Sequence, residues 1–141
     1  MLSGLGPAPV LGRGLSEAIE LLAGRLAPDG RPAVIVRSPT DLGPLAPELE
    51  ATAYAIAVEA LSNVVRHAGA RSCAVELAAD GELRLVVQDD GRGLPPSPAA
   101  GLGLASMRRR ADDAGGRLLI TVPPGGGTRI EALLPLTVRE P

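Results

Sequence analysis

The sequence predicts one α+β domain: a two-layer sandwich in which helices pack on one face of a mixed, mostly antiparallel sheet. The chain of 141 residues is long enough to bury one hydrophobic core but not two. Stretches with apolar residues at helical spacing come before and between stretches of alternating polarity, and short turn sequences join neighbouring strands. This order of elements favours helices on one side of a sheet.

The first half of the chain predicts two helices around a short strand. Apolar residues at helical spacing indicate a helix over residues 14–27, with Ser16 as a possible cap, and a Gly- and Pro-rich connector precedes it. Ala33–Arg37 reads AVIVR and predicts a strand. Pro47 suits the first position of a long helix that ends near His67, before Gly69.

The second half predicts four strands and one helix. Two stretches of alternating polarity flank the turn Ala79-Asp80-Gly81, which indicates a β-hairpin. A glycine-rich turn leads into a helix that ends at Gly115-Gly116, and two strands joined by the turn PPGGG follow. The predicted strands are Ser72–Ala79, 82–88, 117–122 and 128–134.

The composition excludes several classes of site. All fourteen basic residues are arginine, so neither the lysine of a Walker phosphate loop nor a Schiff-base amine is available. Cys73 and His67 are the only residues of their types, which excludes an internal disulfide, a zinc cluster and a Ser-His-Asp triad with a spare base. A net charge of -2 and a single aromatic residue, Tyr54, argue against nucleic acid as a partner. No apolar run reaches the length of a bilayer span.

The helix around EALSNVVRHA places four chemically capable side chains on one face. At about 100° per residue, the four fall within roughly a third of the helical circle, while Ala57, Leu61, Val64 and Val65 fall opposite. An exposed, solvated helix face is the alternative interpretation of this pattern. The four polar residues are Glu59, Asn63, Arg66 and His67.

Three glycine clusters lie at strand ends or helix starts: DDGRG (89–93), GLGL (101–104) and PGGGT (124–128). Glycine permits positive φ and a close approach of the backbone to a ligand, and amides at a helix start can bind anions. A tight turn explains each cluster taken alone. Neither of the first two completes the GxGxxG pattern of a dinucleotide fold, so the spacing argues against that fold.

In this order the segments resemble the ATP-binding domain of the GHKL superfamily, which includes sensor histidine kinases, Hsp90, DNA gyrase B and MutL. EALSNVVRHA resembles its asparagine box, DDGRG its DxGxG box, GLGL its second glycine box and GGGTRIEALLPL its closing strand. The resemblance covers residues 33–136 and implies the Bergerat ATP-binding fold. EAxxNxxRHAGA, GLGLxxMRxRA and GGxLxI further resemble the histidine kinases that pair with helix-turn-helix response regulators.

The resemblance implies ATP and Mg²⁺ as ligands and gives individual residues a role. Asn63 would hold Mg²⁺, and Arg66 and His67 would face the phosphates. Asp89 would accept a hydrogen bond from the adenine amino group, which predicts ATP over GTP, and Thr128 would support the base. The catalytic residue implied is Glu59, which we expect to orient the incoming imidazole or the metal shell. The remaining ATP-binding residues implied are Gly91, Gly93, Gly101, Leu102, Gly103 and Leu104.

The glycines on either side of residues 94–100 would hinge that segment as a lid over the nucleotide. The segment is short and contains three prolines, so we expect a stiff lid and a modest affinity for ATP alone.

The resemblance also implies a longer parent protein. We expect residues 1–28 to be a linker and amphipathic helix that follow an absent dimerisation and phosphoacceptor domain, and residues 29–138 to be the catalytic domain. His67 belongs to the asparagine box and is not the expected phosphoacceptor. The implied partners are that dimerisation domain and a response regulator, with no nucleic acid and no direct membrane contact. We expect the isolated chain to be a monomer. We expect it in the cytoplasm, either free or as the cytoplasmic part of a membrane-anchored sensor.

Two alternatives remain open at this point. One is an anti-sigma-factor serine kinase, a free-standing domain of the same superfamily, against which the MRRRADDAGG segment and the closing LPL strand argue. The other is a non-catalytic binding module with the same fold, against which the complete set of nucleotide residues argues. Tyr54 and Met107 are expected in the core or against the lid, and residues 108–110 on a solvated helix face. Arg84 and Arg92 receive no role.

Overall fold

A computed structural model describes residues 14–38, 42–67, 69–93 and 103–136. Within these ranges the chain forms three helices and a five-stranded sheet. The predicted lid (94–100), Gly101, Leu102 and the connector before residue 14 lie outside the described residues. In chain order the elements are α1 (Leu15–Leu26), β1 (Ala33–Arg37), α2 (Pro47–His67), β2 (Ser72–Ala79), β3 (Glu82–Asp89), α3 (Leu104–Asp113), β4 (Arg117–Thr121) and β5 (Thr128–Pro135).

The sheet has the strand order β1-β2-β3-β5-β4. The first two strands pair in parallel, with α2 as the crossover between them, and the other three pairs are antiparallel. Strand β5 therefore lies between β3 and β4, although it comes last in the chain. The mixed, mostly antiparallel sheet confirms the predicted fold class.

The three helices cover one face of the sheet and enclose an almost wholly aliphatic core. Alternate residues of the strands point into it, as the two-residue repeat of a strand requires, among them Val75, Leu85 and Leu134. Tyr54 and Met107 are buried there, which confirms their predicted place in the core. The hydroxyl of Tyr54 accepts a hydrogen bond of 3.1 Å from Arg25 Nη2, and this bond links α2 to α1.

The opposite face of the sheet carries paired charges. The Arg84 guanidinium lies 3.2 Å from the Glu131 carboxylate, and Arg129 donates a hydrogen bond of 3.0 Å to Gln88 Oε1. Both contacts join β3 to its neighbour β5, so Arg84, which had no role in the sequence analysis, forms a cross-strand ion pair. Residues 108–110 are exposed on α3, as predicted.

The helix and strand ends differ from the predictions by one or two residues. α1 begins at Leu15 after Gly14, whose φ is 84°, and no side chain caps it, so Ser16 lies inside the first turn and is not the cap. β3 extends to Asp89, and β4 ends at Thr121. In the described ranges, no helix is long and apolar enough to cross a membrane.

Candidate functional site

The site begins where β3 ends and β5 starts. Asp89 and Thr128 are paired in the β3–β5 register and point toward the core side of the sheet. Each is only 6% exposed, and within the described ranges they are the two buried polar residues. Elsewhere this face of the sheet is apolar, so two polar side chains at one end of it mark a place where a polar ligand can be recognised.

The Asp89 carboxylate is held by backbone amides. Its Oδ1 atom accepts a hydrogen bond of 2.7 Å from the Gly91 N–H, and the Thr128 N–H also bonds to the carboxylate. Burial raises the pKa of Asp89, the negative charge of Asp90 adds to this, and the two amide hydrogen bonds act against it. The result is a carboxyl group fixed in position and ready to accept further hydrogen bonds.

Two glycine-rich turns lie against each other around Asp89. Gly127 has a φ of 89°, and a Cβ there would collide with the carbonyl oxygen of Asp89. A Cβ at Gly93 would lie 3.4 Å from the carbonyl oxygen of Gly127. Gly127 is therefore required for the DDGRG and PGGGT segments to approach this closely, whereas Gly93 is favoured by its positive φ of 83°.

Asp90 plays a structural part that the sequence analysis missed. Its Oδ1 accepts hydrogen bonds of 2.9 Å and 3.0 Å from the N–H groups of Arg71 and Ser72, and its Oδ2 accepts one of 3.0 Å from the Ser72 hydroxyl. These bonds lower the pKa of Asp90. They tie the DDGRG turn to the start of β2. An aspartate just before a glycine is a known turn signal, so the sequence indicates the turn but not the partners that Asp90 binds.

Helix α2 presents the four predicted polar residues on the face away from the core. Ala57, Leu61 and Val64 are buried. Glu59 and Asn63 are half-buried, and the amide oxygen of Asn63 is shielded from solvent. Arg66 and His67 lie exposed in the last turn. The predicted amphipathic pattern of α2 is thus present. Of its four polar residues, Glu59 and Asn63 are less exposed than Arg66 and His67.

Glu59 connects α2 to the second glycine cluster. Gly103 precedes α3 in a left-handed conformation, with a φ of 69°. A Cβ at Gly103 would collide with Glu59 Oε1, so the carboxylate lies directly against the start of α3. Of the GLGL cluster, Gly103 and Leu104 are described and lie here, whereas Gly101 and Leu102 lie outside the described residues.

Arg92 contacts the turn that follows α2. Gly69 has a φ of 61°, and a Cβ there would lie 2.9 Å from Arg92 Nη2 and 3.2 Å from Nε. The guanidinium therefore lies across Gly69, close to the end of α2, where the helix dipole favours a cation. This contact gives a position to Arg92, which had no role in the sequence analysis.

Cys73 lies on β2 opposite Asp89 and is buried. Burial and the charges of Asp89 and Asp90 raise the pKa of its thiol to about 12. A thiol protonated at neutral pH is a poor nucleophile, so Cys73 contributes packing beside Asp89 and not chemistry.

The structure thus brings the predicted residues together in two groups. Asp89, Gly91, Gly93 and Thr128 meet at the β3–β5 end, and Glu59 meets Gly103 between α2 and α3. Among the residues the structure describes, no three His, Cys, Asp or Glu side chains are grouped so that they could hold a metal ion by themselves.

Comparison with known proteins identifies relatives of this arrangement. Residues 48–138 match the family described as histidine kinase-, DNA gyrase B- and HSP90-like ATPases. The sensor histidine kinase NarS of Mycobacterium tuberculosis is 35% identical over 139 residues, which cover 94% of this chain and 32% of NarS. The chain therefore spans about a third of the length of that curated relative.

Two solved structures share the fold. The histidine kinase domain of the blue-light activated kinase EL346 from Erythrobacter litoralis is 28% identical, with a TM-score of 0.67, over 86% of this chain and 61% of that one. The ATP-binding domain of PrrB from Mycobacterium tuberculosis is 25% identical, with a TM-score of 0.57, over 84% of this chain and 94% of that one.

Proposed function

Because this chain belongs to the histidine kinase-, DNA gyrase B- and HSP90-like ATPase family, we propose that it is the catalytic ATP-binding module of a two-component sensor histidine kinase. In this role it binds Mg-ATP and donates the γ-phosphoryl group to a histidine on a separate dimerisation domain. The observation that carries the proposal is the buried Asp89 carboxylate between two glycine-rich turns. The names of the relatives support a histidine kinase over an anti-sigma-factor serine kinase.

Recognition of the adenine ring is assigned to Asp89. Its carboxylate accepts a hydrogen bond from the exocyclic amino group, because a fixed and buried acceptor discriminates strongly against a ligand that lacks a donor. Thr128, which is paired with Asp89 across the strands, supports the base. The other proposed nucleotide contacts are Arg66, His67, Gly91, Gly93, Gly101, Leu102, Gly103 and Leu104.

Mg²⁺ is assigned to Asn63. An amide oxygen is a hard ligand of the kind that Mg²⁺ prefers, and Mg²⁺ commonly takes one or two protein ligands together with phosphate oxygens and water. The described part of the chain has no group of acidic side chains that could hold the ion alone, which fits this mode of binding. When bound, Mg²⁺ offsets the negative charge of the phosphates during transfer.

The transfer step needs little proton chemistry from this chain. A neutral imidazole attacks through a ring nitrogen that already has a free lone pair, so no base is needed to activate it. The chain's residues act mainly by positioning and by charge. Arg66 and His67, in the exposed last turn of α2, contact the phosphates. Glu59, one turn before Asn63, orients the incoming imidazole or the metal shell.

The partners follow from this role. The chain serves a dimerisation and phosphoacceptor domain of the same kinase, which in turn serves a response regulator, and the relatives' names as sensor histidine kinases support this. We place the module in the cytoplasm, where such a regulator would be found.

Isothermal titration with a non-hydrolysable ATP analogue tests the proposal. We expect binding in Mg²⁺ and a loss of about tenfold or more in affinity when Mg²⁺ is removed or Asn63→Ala is introduced, since both remove the same contact. Thr52→Ala is the matched control, because Thr52 lies on the same helix several turns from Asn63. Absence of binding by the wild-type chain under every condition would refute the proposal, and binding that ignores both Mg²⁺ and Asn63 would refute the metal assignment.

A further inference from the structure

The Glu59 carboxylate lies against Gly103, the residue before α3, instead of extending into solvent. A Cβ added at Gly103 would meet Oε1 of Glu59 in a collision, would lie 3.0 Å from its carboxyl carbon and would lie 3.6 Å from Oε2. Gly103 is the residue that precedes α3, and it has a left-handed conformation. The contact therefore joins the acidic side chain of one helix to the N-terminus of another.

The N-terminus of α3 attracts negative charge. The first intrahelical hydrogen bond runs from the Met107 N–H to the Gly103 carbonyl at 2.9 Å, so the amides before Met107 precede the helix's own hydrogen-bond ladder. These amides and the helix dipole favour an anion. The first turn of α3 contains no acidic residue, and Gly103 has no side chain to cap the helix. The Glu59 carboxylate, which lies against Gly103, brings a negative charge from α2 to this end of the helix.

The same place is the phosphate end of the site proposed above. Asn63 lies one turn beyond Glu59 on the same face of α2, and Gly103 and Leu104 open α3. In the part of the chain that the structure describes, no arginine forms an ion pair with Glu59. A carboxylate and a phosphate repel each other and cannot both take this position.

We propose that the Glu59 carboxylate competes with the phosphates of the nucleotide for the N-terminus of α3, and thereby lowers the affinity of the domain for ATP. The inference rests on the proposed function, since it concerns the phosphate end of the ATP site. It gives Glu59 a second role: in the absence of nucleotide, its carboxylate stabilises the N-terminus of α3. Because the phosphates must displace the carboxylate, the free energy of this contact is lost when the nucleotide binds, and the affinity is lower by that amount.

Glu59→Gln tests the competition, because it keeps the shape of the side chain and removes its charge. In calorimetry with a non-hydrolysable ATP analogue in EDTA, we expect the variant to bind roughly 3- to 10-fold more tightly than the wild type. Adenosine has no phosphates, so its affinity, measured by NMR titration, should not change. The melting temperature of the variant without ligand should fall, because α3 has lost its anion.

Glu20→Gln provides the control, since it removes the same charge from the exposed surface of α1 and should change neither affinity. If the wild type binds the analogue and Glu59→Gln binds it equally or more weakly, the competition is refuted and the proposed function stands. An equal gain for adenosine also refutes it, because the effect would not involve phosphate. If none of the three proteins binds the analogue either in EDTA or in Mg²⁺, the proposed function itself fails, and this inference fails with it.

Discussion

Two consecutive aspartates at the end of β3 have opposite environments. Asp89 points toward the core side of the sheet, where burial raises the pKa of its carboxyl group. Asp90 is exposed and accepts three hydrogen bonds from Arg71 and Ser72, which lower the pKa of its carboxyl group. Because β3 ends at Asp89, this single step separates a buried acid on the core side of the sheet from an exposed acid that bonds to the start of β2.

The pKa of Asp90 leads to a prediction about stability and pH. Because its pKa in the folded chain is below the ordinary value of about 3.9, its contribution to stability is full above that value and is lost as the pH falls through the lowered value. Asp90→Ala should therefore be less stable than the wild type at pH 7, and the difference should shrink in acid. Urea unfolding at pH 7 and near pH 3 measures both differences.

Asp80→Ala is a suitable comparison for this experiment, because Asp80 is an exposed aspartate in the turn between β2 and β3. Its effect on the free energy of unfolding should change less between the two pH values. A difference between wild type and Asp90→Ala that stays constant with pH would show that the charge of Asp90 does not matter.

Only part of the site follows from the residues themselves. The residues indicated the glycine clusters, because a turn that needs positive φ requires glycine wherever it occurs, and Asp89 was indicated by the resemblance of DDGRG to the GHKL motif. Neither could indicate the role of Asp90, since its partners at the start of β2 come near only when the hairpin has formed. The contact between Arg92 and Gly69 likewise depends on how the end of α2 meets the DDGRG turn.

At the scale of elements, α1 packs into the same hydrophobic core as the other helices and the sheet. The spacing of its apolar residues predicted the helix, and the structure packs that apolar face into the same core as α2 and the sheet. Periodicity shows which face of a helix is apolar but does not show what covers it, so the sequence alone assigned residues 1–28 to a linker and an amphipathic helix outside the catalytic domain. Where the domain begins remains a prediction.

Two adjacent leucines of α1 provide a test of this packing. Leu22 is 0% exposed, whereas Leu21 is 46% exposed. Leu22→Ala should lower the free energy of unfolding by about 2–5 kcal/mol, because it leaves a cavity in a close-packed core. Leu21→Ala should change it by no more than about 0.5 kcal/mol. Urea denaturation followed by circular dichroism measures both values.

Equal and small effects of the two substitutions would contradict the structure. They would mean that α1 separates from the domain before the sheet unfolds, as a linker helix would.

At the scale of the whole molecule, local signals predicted most of the fold. The hairpin of β2 and β3 and the pairing of β4 with β5 join neighbours in the chain, so turn residues and alternation are sufficient to indicate them. The position of β5 beside β3 is not local. It places Thr128 opposite Asp89, so the site depends on a strand order that no turn sequence encodes.

The proposed nucleotide site draws on β3, β5, α2 and α3, so a bound nucleotide should stabilise the whole domain. At a concentration one hundred times its Kd, ATP should add about 2.7 kcal/mol to the free energy of unfolding. Guanine presents a carbonyl where adenine has its amino group, so it would face the Asp89 carboxylate with two acceptors unpaired at a cost of about 1–3 kcal/mol. At equal concentration, GTP should therefore raise the melting temperature much less than ATP.

Asp89→Asn separates recognition of the base from general binding of phosphates. An asparagine amide can donate to the guanine carbonyl as well as accept from the adenine amino group, so the difference between the two nucleotides should shrink in this variant. Thermal unfolding of both proteins with ATP and with GTP measures the four shifts. If the wild-type chain is stabilised equally by the two nucleotides, Asp89 does not read the base, and recognition of adenine must come from other residues of the β3–β5 end.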